Sequence, residues 1–144
     1  MPDDLTEKVR LLFTKAFASA DQRGSEAAEA FTECFMQDAQ LRTAAGTFSG
    51  QKEILQSRQS SWNGIESRKH TLKQLYKNTN GANEFLVLGN LELAKVNGHV
   101  TNSRFCANAS VEQNEDGMVR FVSYEAFAES PPPAAATAAA KSQD

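Results

Sequence analysis

The 144-residue sequence has no apolar run approaching the roughly 20 residues that a membrane-spanning helix needs. It also has no excess of basic residues, because 15 lysines and arginines stand against 18 aspartates and glutamates, for a formal net charge of −3. Proteins that bind nucleic acids or anionic membranes present basic patches instead. We therefore expect no nucleic acid and no membrane among the partners of this chain.

Motifs that specify a particular chemistry are missing too. The two cysteines, Cys34 and Cys106, have neither a CxxC spacing nor a spacing typical of metal ligands, so we expect buried free thiols and no metal site. No pattern for nucleophilic catalysis or phosphate binding occurs. The first residues, MPDDLTEKV, contain no basic leader and no apolar segment, which favours a cytoplasmic protein.

Helical periodicity is present in the first half of the chain. Apolar residues recur at helical spacing over 5–20 and again over 25–35, where Ser25 is the expected N-cap. A third helix is predicted over 51–62. Between the second and third helices, residues 38–50 predict two very short strands around a glycine.

The second half changes to the alternation that is typical of strands. Asn97-Gly98 and Asp116-Gly117 are strong signals for two-residue hairpin turns, because both residues of such a turn adopt positive φ. Helices followed by a long antiparallel meander indicate an α+β fold, with three helices on one face of the sheet. The predicted strands cover 68–78, 84–96, 99–113 and 118–128.

The domain is expected to end near residue 129. Residues 1–129 contain all the periodic segments and are long enough for one domain with a modest core. Residues 130–144 are rich in proline and alanine and have no apolar pattern, which predicts a disordered tail, with a short alanine helix as the lesser alternative.

Two-residue turns fix the register of a hairpin and so assign side chains to faces. They pair Leu88 with Ala107 and Ala109 with Tyr124. The helix-covered face is then predicted to hold Leu86, Leu88, Phe105, Ala107, Ala109, Val122, Tyr124 and Ala126. The outer face is predicted to hold Phe85, Val87, Leu91, Leu93, Phe121 and Phe127. A face this apolar is expected to be shielded from water by a partner, so we expect a homodimer that packs through the outer sheet face.

One of only two histidines lies on the inward side of a predicted strand. In RKHTLKQLY, alternate residues place His70, Leu72 and Tyr76 on the helix-covered face. This placement predicts that His70 lies beside Glu92 or Asn90. Polar groups at one end of an apolar concave face are typical of a small-molecule pocket, and a histidine beside a carboxylate suits acid–base chemistry near neutral pH.

The order of elements resembles the nuclear-transport-factor-2-like superfamily, in its SnoaL-like branch, and small fungal members especially. The resemblance covers roughly 5–129 and rests on four stretches: FTECFMQDAQLRTAAGTFSGQKEI, RKHTLKQLY, EFLVLGNLEL and RFVSYEAFAES. It implies a cone-shaped, strongly curved antiparallel sheet with three N-terminal helices packed on its concave face. It also implies a single pocket and, commonly, a dimer.

Members of this superfamily cyclise, dehydrate or isomerise hydrophobic metabolites without a metal or an organic cofactor, and others only bind ligands or partners. The pocket acid–base residue is a carboxylate or a histidine, and Asp38 and His70 match such positions. Dehydratase-like members have paired histidines. This chain departs from that pattern, because His99 falls in a predicted hairpin turn.

The resulting hypothesis is a cofactor-free cyclase, isomerase or lyase that acts on a small hydrophobic carbonyl compound. His70 would move the proton, Glu92 or Asp38 would orient it, and Tyr124 or Asn90 would polarise the substrate oxygen. The residues expected to bind the substrate are Trp62, Asn90, Phe105 and Arg58. The alternative is a non-catalytic ligand-binding protein or dimeric adaptor with the same fold.

Each candidate also has a purely structural interpretation. His70 could be a core histidine whose ring is hydrogen-bonded. Asp38 could bond to the strand that follows the second helix, and Glu92 could be a solvated carboxylate. The remaining structural alternatives are a core position for Tyr124 and Trp62 and a solvated one for Arg58.

Overall fold

Three helices and six strands occur in the part of the chain that the computed structural model describes, residues 4–81 and 83–129. The predicted tail over 130–144 lies outside these residues. The helices are α1 (Asp4–Ala20), α2 (Ser25–Glu33) and α3 (Gly50–Ser60). The strands are β1 (Phe35–Thr43), β2 (Gly46–Ser49), β3 (Ile65–Lys77), β4 (Glu84–Lys95), β5 (Val100–Gln113) and β6 (Val119–Ala128).

The strands form one curved sheet in the order β2-β1-β6-β5-β4-β3, which confirms the predicted α+β class. The sheet is mixed, however, because β1 pairs with β6 in parallel while the other pairs are antiparallel. Only consecutive strands joined by tight turns are constrained to run antiparallel, and no turn joins β1 to β6. Phe35 also differs from its predicted place, since α2 ends at Glu33 and Phe35 begins β1.

The predicted register between β4 and β5 is wrong by one residue. The amide of Lys95 donates to the His99 carbonyl (2.8 Å) and the amide of Gly98 donates to the Lys95 carbonyl (2.9 Å), so the loop has three residues and Gly98 has a φ of 91°. A one-residue change moves every side chain of a strand to the other face. Phe85 and Val87 are therefore in the core, and Leu86 and Leu88 are on the outer face.

Two β-bulges account for the other differences between predicted and observed faces. The pairing of Ala109 with Tyr124 is confirmed, but a bulge after Ser110 pairs Val111 with Phe121. Phe121 is consequently buried and Val122 is exposed. In β3, a bulge between Leu72 and Gln74 leaves His70 and Leu72 facing inward and turns Tyr76 outward, where it is 47% exposed.

The core lies between the helices and the inner face of the sheet. Phe13 of α1 contacts Phe121 and Tyr124, with ring centroids 5.0 and 6.0 Å apart. Burial of each such side chain contributes on the order of 1.5–3 kcal/mol to folding. At Gly89 of β4, a Cβ atom would collide with the Thr71 carbonyl oxygen and with the Phe105 ring, so only a glycine lets both approach this closely. None of the helices in the described ranges is long and apolar enough to span a membrane.

Candidate functional site

A cavity of about 190 Å³ opens between the helices and the inner sheet face. Its walls are mostly apolar, and its polar groups come chiefly from α3, β3 and β6. The lining residues are Phe17, Ala20, Phe31, Leu41, Thr43, Arg58, Arg68, His70, Tyr124 and Ala126. A space of this size is below the roughly 300–1,000 Å³ of sites for drug-sized ligands, so it suits a smaller compound.

His70 forms a two-point contact with Asp21. Its ring atom Nδ1 lies 2.6 Å from Asp21 Oδ1, and its backbone N–H donates to Oδ2 at 2.8 Å. A carboxylate in this position favours the tautomer with hydrogen on Nδ1 and leaves Nε2 as the acceptor. Both side chains are largely buried, at 18% and 17% exposure, so solvent weakens their interaction less than at the surface.

The end of α1 places Asp21. Asp21 is the first residue after the helix, and its amide donates to the Phe17 carbonyl at 3.0 Å. A helix C-terminus carries partial negative charge and disfavours a carboxylate there. Contacts with the two N–H groups of His70 and the nearby positive charges of Arg58 and Arg68 oppose that effect.

Aromatic rings hold the imidazole in place. The His70 ring stacks on Phe17, with centroids 5.0 Å apart and planes 7° apart, and meets Phe105 edge-on at 5.3 Å. No hydrogen bond to Nε2 is found among the residues that the structure describes. His70 is one of the residues that line the cavity.

Two arginines border the cavity near the same helix end. Arg58 donates to the Ala20 carbonyl at 3.2 Å and its guanidinium lies 4.5 Å from the centre of the Phe31 ring. Arg68 donates to the same carbonyl at 3.4 Å and to that of Ser61. Burial, and then the charge of Arg68, lower the pKa of Arg58 to about 10. Burial also lowers the pKa of Arg68. Both remain cations at neutral pH.

Tyr124 adds a hydroxyl to the cavity wall. Its ring is buried among Phe13, Phe35 and Phe121, and no hydrogen bond of its hydroxyl to another described residue is found. Burial raises the pKa of Tyr124, with the charge of Arg58 acting in the opposite direction. The hydroxyl therefore stays protonated and can donate to an oxygen of a bound molecule.

The structure separates several predicted site residues from His70. Glu92 and Asn90 were expected beside it, but His70 pairs with Leu91, so both point to the outer face and are exposed. The cause is the shifted register of β4. Asp38 is exposed on β1 and does not line the cavity.

Two predicted binding residues take supporting positions instead. Phe105 packs against the His70 ring from behind, and it does not line the cavity. Trp62 lies under the guanidinium groups of Arg23 and Arg68, 4.5 and 4.6 Å from its centre, and borders a separate outer depression. Arg58, His70 and Tyr124 do line the same cavity.

Asp21 and Arg68 are the site residues that sequence reasoning missed. Asp21 lies 49 positions before His70, and nothing in the local pattern connects the two. The available signal was a carboxylate immediately after an amphipathic helix, which is an unfavourable place without a cationic or N–H partner. No cluster of three or more His, Cys, Asp or Glu side chains suited to a metal occurs within 4–81 and 83–129.

Comparison with known proteins shows the fold. No family model and no curated protein sequence matches the chain. A putative aromatic ring hydroxylase from Novosphingobium aromaticivorans superposes with a TM-score of 0.75 at 12% identity, over 91% of this chain and 93% of that one. A ketosteroid isomerase-like protein from Erwinia carotovora atroseptica gives 0.69 at 14% identity, over 90% and 100%. The chain has the nuclear-transport-factor-2-like fold.

A third structure with this fold is a type 2 hexachlorocyclohexane dehydrochlorinase, LinA. Its TM-score is 0.70 at 15% identity, over 88% of this chain and 93% of that one. Identities this low establish the shared fold and leave the activity to be argued from the site itself.

Proposed function

We propose that this chain is an enzyme that transfers a proton from carbon in a small hydrophobic carbonyl compound, as a cofactor-independent cyclase, isomerase or related lyase. The observation that carries the proposal is the Asp21–His70 pair, with its 2.6 Å contact at Nδ1 and the place of His70 on the wall of a small, mostly apolar cavity. Nε2 has no hydrogen-bond partner among the described residues. A histidine held in one tautomer by a buried carboxylate is a general base.

The chemistry follows from the geometry. The Nε2 lone pair accepts a proton from the carbon next to the substrate carbonyl. The electron pair of the broken C–H bond forms a C=C bond, and the π pair of the carbonyl moves onto its oxygen. Asp21 stabilises the imidazolium that forms. The Tyr124 hydroxyl donates to the oxygen that becomes negative. Return of the proton to another carbon completes an isomerisation. In an aldol cyclisation, the enolate carbon attacks a second carbonyl of the substrate, and the imidazolium returns the proton to the alkoxide that forms.

The similar structures support the choice of reaction class. One is described as ketosteroid isomerase-like and another is a dehydrochlorinase. The first name states a likeness to an isomerase, and the second names an elimination. Non-catalytic ligand binding is the alternative function, and the packing of His70 between Phe17 and Phe105 would suit a structural histidine equally well.

The test is deuterium exchange at carbon, followed by ¹H NMR in D₂O, with 2-tetralone, butyrophenone and 3-benzoylpropanoate as probes. We expect the wild-type protein to accelerate exchange of at least one probe and His70→Gln to lose about 10²–10⁴-fold of that acceleration. Asp21→Asn should lose a comparable factor, because an amide can favour the wrong tautomer.

His99→Gln is the matched control, since His99 is exposed and does not line the cavity, and it should keep the wild-type rate. Near-UV circular dichroism confirms that each variant is folded. The proposal fails if wild-type protein does not exceed the buffer rate with any probe, or if folded His70→Gln exchanges as fast as wild type.

We also infer that two copies of the chain associate through the outer sheet face. Leu86, Leu88, Val122 and Phe127 are exposed there, and a shallow depression of about 570 Å³ includes Leu88 and Phe127. Apolar side chains concentrated on one face favour a partner surface. Phe127 was expected on this face, whereas Leu86, Leu88 and Val122 take the places predicted for Phe85, Val87 and Phe121, because of the shifted register of β4 and the bulge after Ser110.

A further inference from the structure

The charges around the cavity do not balance. Arg58 and Arg68 both line it, whereas no Asp or Glu is among the described residues that do. The two oxygens of nearby Asp21 already accept the N–H groups of His70. Within the described residues, neither arginine has a carboxylate oxygen within 4.0 Å. The ion pairs of Arg42, Arg104 and Arg120 show that arginines elsewhere in the chain do have such partners.

The role of a helix cap explains only part of this arrangement. Lysine or arginine commonly binds the last carbonyls of a helix. Here both guanidinium groups approach the one Ala20 carbonyl, at 3.2 and 3.4 Å. The two lone pairs of that oxygen can accept from both, but one cation is enough to offset the partial negative charge of the helix end. The second brings a like charge into a half-buried space, where repulsion is screened less than in water.

The donors of Arg58 are not used up by its known contacts. A guanidinium has five N–H groups, and a single hydrogen bond of Arg58, to Ala20, is found among the described residues. Its central carbon lies over the Phe31 ring, 4.5 Å from the ring centre, and this contact helps to hold the group at the cavity wall. A fork held in this way matches the two oxygens of a carboxylate.

The rest of the cavity defines the other half of a ligand. Phe17, Phe31, Leu41 and Ala126 are apolar, so the body of the molecule must be apolar as well. We propose that Arg58, assisted by Arg68, binds the carboxylate of a small keto acid whose apolar body lies against these residues and brings its acidic C–H to His70. The assignment of the C–H to His70 rests on the proposed function, whereas binding of the carboxylate does not.

The test compares a keto acid with its neutral analogue by isothermal titration calorimetry. We expect wild-type protein to bind 3-benzoylpropanoate at least 10-fold more tightly than 3-benzoylpropanamide at pH 7.5, and Arg58→Gln to lose that preference. Arg104→Gln is the matched control, because Arg104 lies exposed on the outer face, and it should keep the preference. If Arg58→Gln does not fold, Arg68→Gln and the salt dependence of wild-type binding serve in its place, since screening weakens binding of the acid and not of the amide.

Equal affinity for the acid and the amide, or no binding of the acid, overturns the inference. So does an undiminished preference in folded Arg58→Gln. His70→Gln separates the two proposals: it should bind the keto acid as wild type does while losing proton exchange. Exchange without any preference for the acid would leave the proposed function standing and remove only the carboxylate site.

Discussion

The inner and outer faces of the sheet carry similar kinds of polar pairs in different surroundings. On the inner side, Asp21 and His70 meet at 2.6 Å and are both about one-sixth exposed. On the outer side, Arg104 and Glu129 meet at 2.9 Å but are 81% and 48% exposed. Exposed pairs gain little because water and salt screen them. Both regions contain a polar pair, but only the Asp21–His70 pair is shielded from water and adjoins a cavity. This shielding distinguishes the candidate site from the outer face.

The largest expected effect comes from neighbouring residues of β4 that face opposite sides. Phe85 is 1% exposed and Leu86 is 36% exposed. Phe85→Ala should lower the free energy of unfolding by about 3–5 kcal/mol, because it removes a buried ring and leaves a cavity. Leu86→Ala should change the unfolding free energy of the single chain by about 0.5 kcal/mol. Urea unfolding followed by circular dichroism measures both. If Leu86→Ala lowered the unfolding free energy more than Phe85→Ala, Leu86 would be the buried residue. The register predicted from a two-residue turn would then be the correct one.

This pair of residues also shows how far sequence reasoning reached. Helices and strands were located because hydrophobic periodicity is local, and His70 was placed correctly because it precedes the bulge after Leu72. The faces of β4 were exchanged because Asn97-Gly98 fits both a two-residue and a three-residue loop. Bulges are set by how strands pack and curve, which no short segment determines. Asp21 was missed for a related reason, since only tertiary packing brings it to His70.

A smaller effect distinguishes the two cysteines. Cys34 is buried, and burial raises its pKa from 9.0 to about 11, whereas Cys106 lies on the outer face and is partly exposed. The folded protein thus prefers the thiol, and the unfolded chain ionises first as pH rises. This contribution to stability is intact below pH 9 and is lost as pH rises through about 11.

Between pH 8 and pH 11, the unfolding free energy of wild-type protein should therefore fall by roughly 2 kcal/mol more than that of Cys34→Ala. Cys106→Ala should fall in parallel with wild type, and chemical unfolding at each pH provides the comparison. If Cys34→Ala and wild type fall equally, the thiol of Cys34 ionises as freely in the folded protein as in the unfolded chain.

The smallest effect on the fold of the single chain is expected from a charge placed on the outer face. Leu88→Lys should change the unfolding free energy by about 0.5 kcal/mol, because the side chain is already accessible to water. The same substitution should convert a dimer to a monomer in light scattering after size exclusion, since two lysines would be buried against each other. Leu11→Lys is the control, because Leu11 is 62% exposed on α1, away from the sheet face, and should leave the assembly unchanged. A monomeric wild type, or a dimer that tolerates Leu88→Lys, would mean that the apolar outer face does not join two copies. Only the polar groups beside the inner cavity would then be shielded from water, and the proposed proton transfer requires this shielding there.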